Sequence, residues 1–117
     1  MDLLVAVRPG RGCTVVEVCG DLDMAVSPQL HESLQRVIAD GGRQVVLDLA
    51  GVGFMDSTAL GVLVTVFKIL RDHGGQLRLA TPQPVVRDVL RITSVDRAIG
   101  VYDTVEAAEA EVRRPTV

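Results

Sequence analysis

Apolar positions change their spacing several times along the chain, and each change marks an element. Leu3 to Val7 is a short apolar run that reads as a strand. Arg8-Pro9-Gly10-Arg11-Gly12 interrupts it as a turn. Cys13 to Cys19 then resumes as a second strand, so the two predict a hairpin. After the loop Gly20-Asp21-Leu22-Asp23 the period becomes helical, with Leu30, Leu34, Val37 and Ile38 on one stripe. Ser27-Pro28 opens that helix, Ser27 as the expected N-cap and Pro28 at the first helical position. Gly41-Gly42 ends it.

Val45 to Leu49 is almost continuously apolar, the pattern of a central strand covered on both faces. Ala50 to Phe54 is a loop, and a helix follows from about Ser57 to Asp72, stopped by Gly74-Gly75. Gln76 to Ala80 is a strand, Thr81-Pro82-Gln83-Pro84 a turn, and Val85 to about Ile92 a short helix. A weak strand, Ile99 to Tyr102, precedes a last helix capped by Thr104 and running from Val105 to about Arg113. The predicted order is β-β-α-β-α-β-α-β-α, with neither internal repeat nor linker. Alternation after the hairpin calls for crossovers onto one sheet, hence an α/β fold with a mixed sheet. One domain over 1–112 and a short tail over 113–117 are expected.

Composition narrows the class. At 117 residues the chain is one ordinary domain, long enough to fold without metal or disulfide. Aromatics are 3% and Trp is absent, so the core must be aliphatic. A net charge of -3 with mixed signs gives no basic patch for nucleic acid, and Arg113-Arg114 reads as a solvated tail. The start carries Asp2 where a secretory signal would carry bases. The longest uncharged stretch, Ser57 to Phe67, is too short for a bilayer. Cys13 and Cys19 lie roughly 20 Å apart along an extended strand, too far for a disulfide. Two unpaired thiols fit a reducing, cytoplasmic setting, and their spacing matches no zinc pattern. No loop carries a cofactor fingerprint.

The chemistry concentrates in Asp48-Leu-Ala-Gly-Val-Gly-Phe-Met-Asp-Ser-Thr-Ala-Leu-Gly61. A central strand ends, a glycine-bearing loop crosses its carboxyl end, and Asp56-Ser57 opens a helix, which is where α/β sheets place working sites. A helix terminus favours negative charge, so a hydroxyl there can carry a phosphate without breaking the helix. Asp56 or Ser57 is equally a plain N-cap, and the two roles are compatible. At 100° per residue, Leu60, Val62, Leu63, Val64, Val66, Phe67, Ile69 and Leu70 cover an arc of about 220°, wider than a core-facing stripe needs. Part of that arc must be covered by a neighbouring helix or a partner, which leaves room for a homodimer. Gly61 faces the less apolar sector; it either packs on the Asp48–Phe54 loop or admits another protein's backbone.

Val46 to Gly61 resembles the motif of the bacterial anti-sigma factor antagonists, the founding STAS domains, and Gly20-Asp-Leu-Asp23 before a Ser-Pro helix resembles the family's other recurring segment. Length and element order agree over nearly the whole chain. The resemblance implies a non-enzymatic switch in bacterial signalling and transcription regulation. The unmodified form binds an anti-sigma factor that is also a serine kinase, releasing the sigma factor. Phosphorylation of the motif serine, here Ser57, ends binding, and a serine phosphatase restores it. Asp23, Asp56, Ser57, Thr58 and Gly61 are the implied partner-binding positions, with Thr58 a rival acceptor and Asp48 a further candidate for an acidic rim. The alternative within the same fold is a scaffold or subunit of a stressosome-like or lipid-transporter complex.

Other readings fit less well. A phosphoacceptor receiver needs two acids after its first strand and a late lysine. Here the strand runs into Arg8-Pro9-Gly10, and the only lysine is Lys68 in a helix. A serine hydrolase needs a Gly-x-Ser-x-Gly frame that Ser57 lacks. His31 and His73 read as surface residues.

Overall fold

The expected hairpin forms and sets one edge of the sheet: β1 (Leu4–Pro9) pairs antiparallel with β2 (Thr14–Cys19). The computed structural model describes residues 3–112. From β2 onward every pairing is parallel, through β3 (Gln44–Gly51), β4 (Gln76–Ala80) and β5 (Gly100–Tyr102), in the spatial order β1-β2-β3-β4-β5. Parallel neighbours need crossovers. These are supplied by α1 (Ser27–Ala39), α2 (Ser57–Asp72), and α3 (Pro84–Ile92) with α4 (Val95–Ala98). A final helix, α5 (Val105–Ala110), closes the described chain.

Strand alternation divides the interior. Val45, Leu47 and Leu49 of β3 enter the main core with Leu30 and Leu34 of α1, Leu63, Val66 and Leu70 of α2, and Leu90 of α3. Val46 points the other way, into a smaller cluster with Val15, Ala80, Val105 and Ala108 beneath α5. Each fully buried leucine contributes about 1.5–3 kcal/mol, so the main core dominates stability. α1 and α2 pack side by side. The broad apolar arc of α2 is thereby largely used: Leu60, Leu63, Val66 and Leu70 are buried, and Val62 and Phe67 pack against the core's margin. Val64 and Ile69 remain half-buried.

Several expectations are corrected. β1 runs through Pro9, which the sequence pattern assigns to a turn; an edge strand tolerates proline because its outer side has no ladder to lose. The loop expected at Ala50 begins only after Gly51, where β3 ends. Ser27 is not the N-cap of α1. The cap is Val26, without a side-chain bond, and Ser27 is the first helical residue. α4 is an addition, entered through Ser94 at φ +61°. α5 ends at Ala110, short of the predicted limit near Arg113, and the predicted tail lies outside the described residues. At the end of α5 the buried Arg78 guanidinium donates to the Glu111 carbonyl (2.9 Å), to Gln44 Oε1 (2.9 Å) and to Gln76 Oε1 (3.0 Å). It takes up a carbonyl at the helix end and holds α5 on the sheet. At the end of α1, Gly41 adopts φ +97°, and the Gly41 and Gly42 amides bond to Ile38 O and Val37 O, the glycine termination expected.

Candidate functional site

Two loops meet where β2 and β3 end. Gly20 N donates to Gly51 O (3.0 Å), Leu22 N to Phe54 O (2.8 Å) and Asp56 N to Leu22 O (3.0 Å). An isolated parallel bridge joins Leu22 to Met55. These bonds continue the strand pairing past both strands and bring the Gly20–Asp23 loop against the segment before α2. Gly51 permits the approach: a Cβ there would lie 3.0 Å from Val18 O and 3.1 Å from Cys19 Cα. The buried Leu22, Val52 and Met55 anchor the paired loops from below.

Asp56 is the N-cap of α2. Its Oδ1 accepts from Thr58 N (2.9 Å), Ala59 N (3.1 Å) and the Thr58 hydroxyl (2.5 Å). The Thr58 hydroxyl, with smaller help from the backbone amides and against a burial effect, holds the Asp56 carboxyl below the usual carboxylate range. Asp56 therefore stays ionised at neutral pH.

Ser57 is the first residue of α2 and is exposed; its hydroxyl bonds to no other described residue. Thr58, one position on, differs. Its hydroxyl donates to Asp56 and lies 3.0 Å from the Ser27 hydroxyl. Of the two candidate acceptors, only Ser57 presents a hydroxyl unencumbered by its neighbours.

Asp23 organises the opposite loop. Its Oδ1 accepts from Ala25 N (3.0 Å) and Val26 N (3.3 Å), and its carbonyl from Ser27 N (3.0 Å) and the Ser27 hydroxyl (2.8 Å). This turn leads into α1 and places Asp23 on the same side of the molecule as Asp56. Gly61 is exposed, and an added Cβ would meet nothing within 4 Å. It does not pack on the Asp48–Phe54 loop, one of its two readings. Thr65, a turn further along, donates its hydroxyl to Gly61 O (2.8 Å).

Asp48 does not join this group. It lies two residues beyond Val46 and so faces the α5 side of the sheet, where it accepts from Ala50 N (3.0 Å) and from the Thr81 hydroxyl. Met24 and Phe54 were missed by sequence reasoning. They are 72% and 45% exposed; Phe54 lies in the loop before Asp56, and Met24 follows Asp23 with its backbone at the Asp56 carboxylate. Large apolar residues within otherwise Gly- and Asp-rich loops were the available signal. Cys13 is half-buried and Cys19 exposed, both free. Burial, then Glu109, pushes the Cys13 thiol up, which disfavours its reactive thiolate. His73 is exposed as expected; His31 is only half-exposed, with its Nε2 buried. Among the described residues no His/Cys/Asp/Glu group is arranged to hold a metal ion, and no helix is long and apolar enough to cross a membrane.

The model of the STAS domain family matches residues 5–108. The anti-sigma F factor antagonist of Paenibacillus polymyxa is 29% identical over 107 residues, covering 88% of this chain and 89% of that protein. The anti-sigma-B factor antagonist of Bacillus subtilis is 35% identical over 79 residues, covering 68% and 72%. Among solved structures, an anti-sigma factor antagonist from Mycobacterium paratuberculosis superposes with a TM-score of 0.87 at 28% identity, covering 96% of this chain and 95% of that one.

Proposed function

The chain belongs to the STAS domain family, and from that premise we propose that it is an anti-sigma factor antagonist switched by phosphorylation of Ser57. It acts by binding and carries out no chemistry of its own. The unmodified form engages a cytoplasmic anti-sigma factor with serine-kinase activity through Asp23, Asp56, Ser57, Thr58 and Gly61, and the bound sigma factor is released. The kinase transfers the γ-phosphoryl group of ATP to the Ser57 oxygen, and the complex separates. A serine phosphatase hydrolyses the phosphate and restores the binding form.

The observation that carries this reading is the contrast at the start of α2: Ser57 offers an exposed hydroxyl that bonds to none of the described residues, whereas Thr58 is engaged. Charge at the start of α2 favours the same reading. A phosphate adds about -1.5 to -2 charges, directly beside an Asp56 carboxylate held ionised. In the free chain, water and the helix terminus tolerate that charge. Enclosed against a partner without a counter-charge, it costs about 3–5 kcal/mol, and a hundredfold loss of affinity needs only about 2.7 kcal/mol. One phosphate can empty the complex and leave the fold untouched.

The test is intact mass of wild type and Ser57→Ala after incubation with ATP and the candidate kinase. One added phosphate in the wild type and none in Ser57→Ala is the expected result. An unmodified wild type beside a kinase shown to be active would overturn the switch and leave Ser57 as the first residue of a capped helix.

A further inference from the structure

A buried hydroxyl joins the two halves of the candidate surface. Ser27 is 6% exposed. Its Oγ lies 2.8 Å from the Asp23 carbonyl oxygen and 3.0 Å from Thr58 Oγ1, which lies 2.5 Å from Asp56 Oδ1. The chain Asp23 carbonyl, Ser27 hydroxyl, Thr58 hydroxyl, Asp56 carboxylate thus runs from the first turn of α1 to the cap of α2. The Asp56 carboxylate can only accept, so the Thr58 hydroxyl donates to it at 2.5 Å. The Ser27 hydroxyl then supplies the proton of the middle contact: the Asp23 carbonyl at 2.8 Å and Thr58 Oγ1 at 3.0 Å both lie within its reach, and the carbonyl also accepts from Ser27 N (3.0 Å).

We propose that Ser27 and Thr58 are positioning residues. Their contact sets the Asp23 turn relative to the Ser57 helix start, so that both present one surface to the protein partner. Ser27 is buried and acts through Thr58, whose oxygen is turned to Asp56 and Ser27. The consequence for binding rests on the antagonist reading; the positional link does not. Direct loop bonds, Leu22 N to Phe54 O and Asp56 N to Leu22 O, hold the two segments together upstream. The hydroxyl pair adds the constraint further along, at the turn carrying Asp23.

Ser27→Ala is the discriminating variant, because it leaves Asp56, Ser57 and the Thr58–Asp56 bond in place. Thr58→Val tests the other partner, Thr58→Ser restores the hydroxyl, and Ser27→Ala/Thr58→Val closes the cycle. In the free protein, amide exchange at Ala25, Val26 and Ser27 should quicken about five- to tenfold in Ser27→Ala and Thr58→Val, the worth of one neutral hydrogen bond. It should stay at the wild-type rate in Thr58→Ser, with amides in the middle of α2 unchanged. Unchanged exchange in both single variants, or equal acceleration throughout α2, would overturn the link whatever the chain binds. With the kinase as partner, Ser27→Ala should raise KM about fivefold at unchanged kcat, the double variant should match the worse single one, and Thr58→Ser should recover wild-type KM. Strictly additive effects would overturn the coupling. Altered exchange in a chain whose wild type is never phosphorylated would support the link and sink the antagonist reading alone.

Discussion

Ser27 and Ser57 each stand first in a helix that follows a glycine- and aspartate-bearing loop, and the fold uses them in opposite ways. Before α2, Asp56 sits directly ahead of the serine and caps the helix with its own carboxylate, which frees the Ser57 hydroxyl. Before α1, the residue directly ahead is Val26, which cannot cap. The acid lies further back at Asp23, and the Ser27 hydroxyl is drawn inward to its carbonyl. The position of the acid relative to the serine therefore decides which hydroxyl is available to a partner and which is committed to structure.

The same substitution at both serines separates them most sharply. Ser27→Asp buries a carboxylate at a site whose bonded neighbours are the Asp23 carbonyl and the Thr58 hydroxyl, and should cost about 3 kcal/mol or more of stability, read from denaturant midpoints. Ser57→Asp places the charge at an exposed helix start, where it should change stability by less than about 1 kcal/mol. It should nevertheless weaken partner affinity by about tenfold, measured calorimetrically. Equal destabilisation at the two sites would break the comparison.

Asp56 gives the next effect. Asp56→Ala should cost about 1–2 kcal/mol, as lost helix caps do, and Asp56→Asn much less. The folded-state pKa of Asp56 is depressed, so its stabilisation is present above the unfolded carboxylate pKa and is lost as pH falls through the folded value. The wild type should therefore lose stability on acidification, below about pH 4, more than Asp56→Asn does. Parallel pH profiles would show that the cap does not depend on ionisation.

Gly61 gives the smallest effect. It is an exposed position within α2 where an added methyl meets nothing, so Gly61→Ala should stabilise the free chain by about 0.5–1 kcal/mol. If the partner's backbone approaches there, affinity should fall while stability rises. A gain in stability with unchanged binding would remove Gly61 from the binding surface.

What the sequence disclosed divides along the same line. α2 was legible nearly to its ends because its signals are local: an acid-serine start, an apolar period and a double glycine, with Asp56 emerging as the cap. β4 was equally plain, bounded by Gly75 and the Thr81-Pro82 turn. Ser27-Pro28 misled for the converse reason. The pair has the composition of a cap, but the real turn depends on a carbonyl at Asp23 and a hydroxyl on another helix. Asp48 stands near the motif acids in sequence, but strand alternation sends it to the opposite face of the sheet. α4 spans only Val95–Ala98 and begins at a left-handed serine, too short for any period to register. Ser57 and Asp56 as a candidate pair were readable from the motif. The engagement of Thr58, which singles out Ser57, required the approach of α1.

The central claim is that one phosphate on Ser57 decides partner binding. Its most direct test is the dissociation constant of the anti-sigma partner for the unmodified chain and for the chain phosphorylated at Ser57, measured in one buffer with mass spectrometry confirming the site. Loss of affinity by about a hundredfold or more, with an unchanged melting temperature, is the predicted result. Equal affinities for the two forms would contradict it.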